Sequence, residues 1–104
     1  MKILMLLFSL LISSNAMSEG KQLYMQNCTV CHSDDGEGAM PGISDLTENR
    51  TWLALENSKL LLSLKNGIKK PGMPMAMPPK GGNSALTDNE LQEIISYMRT
   101  KFSK

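Results

Sequence analysis

Apolar side chains recur at helical spacing near the C-terminal end of the chain. In residues 87–102 they fall every three or four positions, which gives a helix one apolar face: Leu91, Ile94, Ile95, Met98 and Phe102. Thr87 and Glu90 precede this run with the spacing of a capping box. The pattern predicts an amphipathic helix over residues 87–102 that packs against a core, with Tyr97 at the edge of its apolar face.

A second helical pattern covers residues 18–30 and begins at Ser18, a residue type that favours helix starts. Gly20 and Tyr24 are four residues apart and therefore share one face of this helix. A glycine inside a helix costs about 1 kcal/mol relative to alanine, so it needs a structural reason. Close approach of another helix at Gly20 is the reason that we predict.

A third helix is predicted over residues 58–66, with Ser58 as its cap and Gly67 as its terminating residue. Leucines occupy nearly every side of this segment, which predicts a largely buried helix. Just upstream, Thr47 is the candidate cap of a short helix that runs to residue 55. The chain as a whole therefore predicts an all-α fold.

Two segments are predicted to be loops because they are rich in glycine and proline: residues 33–44 and residues 69–82. Four prolines in the second segment exclude a helix or a central strand there. This loop also contains three methionines, which are unusually apolar for an exposed connection: Met73, Met75 and Met77.

The first residues form a secretory signal pattern. Lys2 is followed by an apolar run over residues 3–12 and then by small residues up to Ala16. We predict cleavage after Ala16, which divides the chain into a signal peptide at residues 1–16 and one domain at residues 17–104. Because the apolar run is about half of the roughly 20 residues that span a bilayer, an uncleaved anchor is the alternative. Export would place the domain in an oxidising compartment, a bacterial periplasm.

Charge is unevenly distributed. Residues 17–58 contain seven acidic and two basic side chains, whereas residues 59–104 contain eight basic and three acidic ones. This distribution is either an ordinary solvated surface or an asymmetric field that orients a docking protein partner. No dense basic run interleaved with aromatic residues occurs, so the sequence does not indicate nucleic-acid binding.

The chemistry of the chain centres on Cys28-Thr29-Val30-Cys31-His32. Two thiols three positions apart, followed at once by an imidazole, form the pattern of covalent haem attachment. Each thiol reaches one vinyl group of a single porphyrin, and His32 then lies under the ring as an iron ligand. We therefore predict one covalently bound haem c, held by Cys28 and Cys31.

Three other interpretations of this motif remain. A thioredoxin-like dithiol would need a βαβ context, and no strand-like run precedes the motif. A zinc site would need carboxylates or water as its remaining ligands, because the chain has no further Cys or His. A structural disulfide would close a strained three-residue loop. The small size of the domain favours haem, because chains of this size often need a disulfide, a metal or an oligomer for stability. We therefore predict that the haem-free chain folds poorly.

Methionine sulfur is a soft ligand that suits haem iron on the side opposite to histidine. The stiff, proline-bounded loop is suited to hold one such sulfur in place at little entropic expense. Trp52, the only tryptophan, has two interpretations: it packs in the core, or its N–H donates to a haem propionate.

Together these motifs resemble the class I cytochrome c family over nearly all of residues 17–104, and most of all its small bacterial c-five-type branch. The resembling segments are Gly20 to Tyr24, the attachment motif, Gly36 to Ile43, Ala76 to Gly82 and Leu91 to Met98. The resemblance implies three to four helices wrapped around one haem, and a first helix that crosses the last one at Gly20. It implies that the Pro41 carbonyl accepts the second N–H of His32. It also implies Met77 as the distal iron ligand, with Met75 and Met73 as alternatives. The extra cysteine pair that this branch often carries is absent from the chain.

With both axial positions filled, the resemblance implies a soluble periplasmic electron carrier of a respiratory chain, not an enzyme. Its partner would be an oxidase or reductase that docks near the exposed haem edge, at Lys65, Lys69, Lys70 and Lys80. The alternatives are a gas sensor or minor peroxidase with a labile sixth ligand, and a haem-free dithiol oxidoreductase.

Overall fold

The computed structural model describes residues 15–48 and 50–103. Its helices are α1 (Asn15–Asn27), α2 (Thr29–His32), α3 (Thr51–Ala54), α4 (Asn57–Asn66) and α5 (Asp88–Phe102), and a 3-10 turn spans Pro79–Gly82. One isolated antiparallel bridge joins Ile68 to Met77. The prediction of an all-α fold is confirmed. Apart from residues 15 and 16, the predicted signal peptide lies outside the described residues, among which no helix is long and apolar enough to cross a membrane.

The last helix forms as its sequence pattern predicts. The Thr87 side chain accepts a hydrogen bond from the Glu90 N–H at 3.2 Å, and the Glu90 carboxylate accepts one from the Thr87 N–H at 2.9 Å. This capping box satisfies two donors that the helix itself leaves unpaired. The apolar face of α5 then forms much of the core, where its buried residues are Leu91, Ile94, Ile95, Tyr97 and Phe102. Tyr97, predicted at the edge of that face, is only 6% exposed.

The first and last helices cross at Gly20, as predicted. A Cβ atom on Gly20 would overlap with the Glu93 carbonyl oxygen and would lie 3.1 Å from the Tyr97 Cβ. Only glycine therefore permits this approach. One turn later, the fully buried Tyr24 packs its ring 5.5 Å from that of Tyr97 and 5.4 Å from that of Phe102, measured between centroids.

The first predicted helix does not run unbroken to residue 30. Helix α1 ends at Asn27, a turn at Cys28 follows, and α2 ends at His32. Ser33 then takes a left-handed φ of 64°, which is uncommon for a residue with a side chain. The haem motif thus occupies a bend in the chain.

Two predictions about the middle of the chain are wrong in detail. Thr47 does not begin a helix, because the Asp45 carboxylate accepts from both its N–H (2.9 Å) and its hydroxyl (2.6 Å) and forms a turn instead. Helix α3 therefore starts only at Thr51. Helix α4 begins at Asn57, with Glu56 at the capping position predicted for Ser58.

Helix α4 is buried on one side only. Leu60 and Leu64 are 8% and 9% exposed, whereas Leu62 between them is 56% exposed. The prediction of a largely buried helix is therefore wrong, because α4 packs on α5 and leaves its other face in solvent. Gly67 ends α4 with a φ of 79°, as predicted.

Arg99 on α5 fastens the connection between α3 and α4. Its guanidinium donates to the carbonyl oxygens of Leu53 (3.1 Å) and Leu55 and to the Asn57 side chain (2.8 Å). A planar guanidinium with several donors suits this fork of acceptors. Of these bonds, the one to the Leu55 carbonyl oxygen bears on the cavity described below, since Leu55 lines it and Asn57 does not.

Candidate haem site

A cavity of about 640 Å³ lies at the centre of the molecule. It brings together Cys28, Cys31 and His32 with Trp52 and Met77. Its size is in the range of pockets that enclose a small-molecule cofactor. Five of the six site residues predicted from the sequence therefore share one cavity. Pro41, the sixth, is exposed, and the neighbouring residues Gly42, Ile43 and Ser44 line the wall instead.

The two thiols are half-buried and unbonded to each other. Burial, and secondarily the neighbouring Cys31, raises the pKa of the Cys28 thiol to about 11. A redox dithiol needs a lowered pKa, because the thiolate is the nucleophile. The environment of Cys28 therefore does not fit the dithiol interpretation. The zinc interpretation also lacks support, since no group of three or more Cys, His, Asp or Glu side chains converges in residues 15–48 and 50–103.

The His32 ring is oriented by the Ser44 carbonyl, not by that of Pro41 as predicted. Its Nδ1 atom lies 3.3 Å from the Ser44 oxygen. With Nδ1 as donor, Nε2 is the nitrogen that remains for a metal. Burial lowers the pKa of His32, and the Ser44 carbonyl opposes that effect more weakly. A neutral imidazole at neutral pH is the form that binds iron.

The displacement from Pro41 to Ser44 follows from how the loop is anchored. The Gly38 and Ala39 N–H groups donate to the His32 and Cys31 carbonyl oxygens at 2.9 and 2.8 Å. These two bonds hold residues 38 and 39 against the attachment motif, directly before Pro41 in the loop. A turn closed by the Ile43 N–H and the Met40 carbonyl oxygen, 3.3 Å apart, then brings Ser44 back to the ring.

The three methionines all line the cavity, but their surroundings differ. The backbone of Met77 pairs with Ile68 in both directions, at 2.8 and 2.9 Å, and its side chain is partly buried against the core. Met73 is 37% exposed and its sulfur accepts the Lys70 N–H at 3.2 Å, while Met75 is 45% exposed. Met77 is thus the methionine with the most fixed backbone and the most buried side chain.

Of the two interpretations predicted for Trp52, the structure shows core packing. It is 8% exposed, and its indole N–H donates to the Leu46 carbonyl oxygen at 2.8 Å. Since that bond occupies its single donor, the prediction that the N–H reaches a propionate is wrong in this structure. The indole ring still forms part of the cavity wall.

The four lysines predicted to dock a partner are not equivalent. Lys69 and Lys70 are exposed next to the methionine loop. Lys65 forms an ion pair with Asp88 at 3.3 Å. The Lys80 ammonium donates to the Leu86 carbonyl oxygen at 2.8 Å and is partly buried. Lys80 therefore links the Pro79–Gly82 turn to the residues just before α5, and it is less available to a partner than predicted.

The model of the family described as Cytochrome c matches residues 17–101. The chain belongs to the cytochrome c family. This cytochrome is 33% identical to cytochrome c-555 of Chlorobaculum tepidum over 94 residues, which cover 86% of the chain and 84% of that relative. It is 26% identical to cytochrome c-551 of Pseudomonas aeruginosa, over 85% of the chain and 83% of the relative.

A third relative is much longer than this cytochrome. The chain is 28% identical to the cytochrome c subunit of the quinone alcohol dehydrogenase of Gluconobacter oxydans, and the match covers 77% of the chain but 17% of that subunit. The family match confirms the predicted class I cytochrome c fold and its covalently bound haem c. The narrower resemblance to the c-five-type branch stays a prediction.

The cavity fits this cofactor on structural grounds. Both thiols, an imidazole with Nε2 available and a thioether line one space of cofactor size. Sequence reasoning missed Ser44, Arg99 and a link between Asn27 and Asn83, which is described below. Only Asn83 among these residues could have been found from the local sequence. Asparagine often forms a turn by accepting a hydrogen bond from the N–H two residues later, as Asn83 does from Ala85.

Proposed function

We propose that this cytochrome is a one-electron carrier whose haem is attached through Cys28 and Cys31, with His32 and Met77 as the two axial ligands. The observation that carries the proposal is that His32 and Met77 line one cavity together with both thiols. If His32 and Met77 both bind the iron, no position would remain for a substrate. The bound haem supplies reversible one-electron chemistry at its iron.

The protein residues adjust this chemistry through ligand type and rigidity. Ser44 holds the His32 ring at Nδ1, and a hydrogen-bonded histidine is a stronger and better oriented ligand. Met77 is held by its two backbone bonds to Ile68. A methionine ligand raises the reduction potential. A fixed pair of ligands also limits rearrangement between the two oxidation states.

Spectroscopy of three matched variants tests the ligand assignment. The purified protein should be red, give the pyridine haemochrome of thioether-linked haem, and show the weak long-wavelength band of methionine ligation in its ferric form. Met77→Ala should abolish that band and admit carbon monoxide to the ferrous form. Met75→Ala and Met73→Ala are the controls and should retain it. If the band is lost in one of the two controls and retained in Met77→Ala, the methionine substituted in that control is the ligand.

The same experiment separates the alternative functions. A gas sensor or minor peroxidase with a labile ligand would bind carbon monoxide readily without any substitution. A dithiol oxidoreductase would be colourless, with both thiols unmodified by mass. Either result would contradict the electron-carrier proposal.

We further propose that the protein acts in a bacterial periplasm, after cleavage behind Ala16, and exchanges electrons with an oxidase or reductase. The signal pattern in residues 1–16 supports export. The similarity to a subunit named as part of a quinone alcohol dehydrogenase supports a role beside a redox enzyme. N-terminal sequencing of the periplasmic protein, beginning at Met17, would test cleavage and location together.

Lys69 and Lys70 are the lysines best exposed for docking an acidic partner. Lys69→Glu/Lys70→Glu should slow oxidation by the anionic hexacyanoferrate(III), and added salt should reduce the difference from the unmodified protein. Lys59→Glu/Lys101→Glu is the charge-matched control, because it changes the net charge by the same amount at exposed positions on α4 and α5. Equal slowing in both variants would show that net charge, not this surface, is responsible.

A further inference from the structure

The turn that follows Met77 is joined to the end of α1 by two side-chain amides. The Asn83 Nδ2 atom donates to the Asn27 Oδ1 atom across 3.0 Å, although the two residues are 56 positions apart. Asn27 is the last residue of α1, directly precedes Cys28 and lines the cavity. The bond therefore connects the segment that carries the thiols with the segment that carries the methionine.

Both amides are fixed in orientation by a second bond. The Asn27 Nδ2 atom donates to the Leu23 carbonyl oxygen at 2.8 Å, and the Asn83 Oδ1 atom accepts the Ala85 N–H at 3.1 Å. Rotating either amide by half a turn would set donor against donor or acceptor against acceptor. The Asn27–Asn83 bridge is thus preorganised from both sides.

The backbone beside this bridge is closely packed. A Cβ on Gly81 would lie 2.8 Å from the Asn27 carbonyl oxygen, so a side chain has no room there. Lys80 takes a left-handed φ of 54°, and its bond to the Leu86 carbonyl oxygen accompanies that conformation. The Pro79–Gly82 turn is therefore held against the end of α1 in one particular geometry.

We propose that Asn27 and Asn83 are positioning residues that hold the Met77 sulfur at the iron. The inference rests on the proposed function, in which Met77 is the distal ligand. The two bonds to Ile68 fix the backbone of Met77 itself. On the C-terminal side, the chain runs through Pro79–Gly82 to Asn83, and the amide bridge is the side-chain link that anchors this segment to α1.

Asn83→Ser is the variant that isolates the bridge. A serine hydroxyl accepts from the N–H two residues on, so the local turn persists, but serine is too short to reach Asn27. Because one hydrogen bond contributes roughly a fivefold change in an equilibrium, the fraction of ferrous protein that binds carbon monoxide at low occupancy should rise about fivefold. The ferric long-wavelength band should weaken, and the reduction potential should fall.

Asn57→Ala is the control. It also removes one long-range bond between side chains, from the Arg99 Nε to the Asn57 Oδ1 at 2.8 Å, but at an exposed site on α4. It should lower stability and leave the carbon monoxide affinity, the band and the potential unchanged. Asn27→Ala and the Asn27→Ala/Asn83→Ser double variant complete a cycle, in which the double variant should resemble each single one.

The results distinguish this inference from the function on which it rests. If the unmodified protein binds carbon monoxide or lacks the band, the proposed ligation fails. If the unmodified protein behaves as expected and Asn83→Ser behaves like Asn57→Ala, the positioning role fails. Additive effects of the two asparagine substitutions would overturn it as well.

Hydrogen exchange of the unmodified holoprotein gives a second test that needs no substitution. The Met77 N–H is bonded to Ile68, and the Asn83 N–H is bonded to the Lys80 carbonyl oxygen at 3.1 Å. If the bridge secures the ligand segment as a unit, these two amides should exchange with equal protection. A protected Met77 amide next to a rapidly exchanging Asn83 amide would overturn the proposal.

Discussion

The Tyr24 hydroxyl donates a 2.7 Å hydrogen bond to the carbonyl oxygen of Ser33, the residue directly after His32. The tyrosine is fully buried on α1, and Ser33 has the left-handed backbone that ends α2. The bond connects the bend that contains the attachment motif to the core. Burial, and to a lesser extent Cys28, raises the pKa of Tyr24 well above its ordinary value, so it remains a donor throughout the physiological range.

Tyr24→Phe removes this bond and keeps the ring packing. The free energy of unfolding should fall by about 1 kcal/mol, since the Ser33 oxygen loses its partner. For a domain of this size the midpoint should fall by about 4–8 °C. Tyr97→Phe is the control, because the described part of the chain offers its hydroxyl no hydrogen bond. Thermal unfolding of the holoproteins measures both, and equal shifts would contradict the role given to Ser33.

Gly20→Ala tests the crossing of α1 and α5. Alanine favours the helix by about 1 kcal/mol, but its Cβ would overlap with the Glu93 carbonyl oxygen. We expect the overlap to dominate and to destabilise the protein by about 2 kcal/mol net. Gln22→Ala, on the exposed side of the same helix, should change stability by less than about 0.5 kcal/mol. Urea unfolding followed by circular dichroism decides the sign, and a stabilised Gly20→Ala protein would refute the close contact.

Glu93 introduces a pH dependence at the same crossing. Its Oε2 atom is buried without a hydrogen-bond partner among the residues described, and burial together with Glu19 and Glu90 raises its pKa. A raised carboxyl pKa means that the folded state binds the proton more tightly than the unfolded state. The contribution of Glu93 is therefore favourable at low pH and is lost as the pH rises through the raised value.

Glu93→Gln should consequently stabilise the protein at pH 7 and have a smaller effect near pH 4, because the raised pKa favours the protonated carboxyl as the pH falls. Glu48→Gln, at an exposed position, is the control. Urea unfolding at both pH values measures the difference. A stabilisation that is larger at the lower pH would show that the sign is reversed.

Removing the cofactor should remove the fold. The central cavity of about 640 Å³ separates α3 and α4 from the attachment motif, and its walls cannot close without displacing Trp52 and Leu64 from the core. A Cys28→Ala/Cys31→Ala chain purified without haem should lack a cooperative thermal transition. A cooperative transition near the holoprotein midpoint would show that the polypeptide folds without the cofactor.

Local chemistry explains which features the sequence predicts. The α5 capping box, the close approach of another helix at Gly20 and the end of α4 at Gly67 each follow from residues within one or two turns. The cofactor follows from five consecutive residues, because the attachment chemistry fixes their spacing. Such features require no knowledge of the distant chain.

The wrong predictions concern contacts that the fold alone brings together. Ser44 replaces Pro41 at the histidine because the Gly38 and Ala39 N–H groups position the loop. Leu62 is exposed because only one face of α4 meets α5. The donors of Arg99 reach carbonyl groups more than 40 residues away, and the sequence carries no sign of that pairing.

The bridge between Ile68 and Met77 closes an eight-residue excursion of the chain, residues 69–76. This segment begins and ends at the Ile68–Met77 bridge, and all of its residues are exposed. Its two methionines line the cavity, whereas Lys69, Pro71 and Gly72 do not, so substitutions at these three exposed positions should leave the cavity wall unchanged. The outer surface of a cytochrome built this way can therefore vary at these positions independently of its cavity.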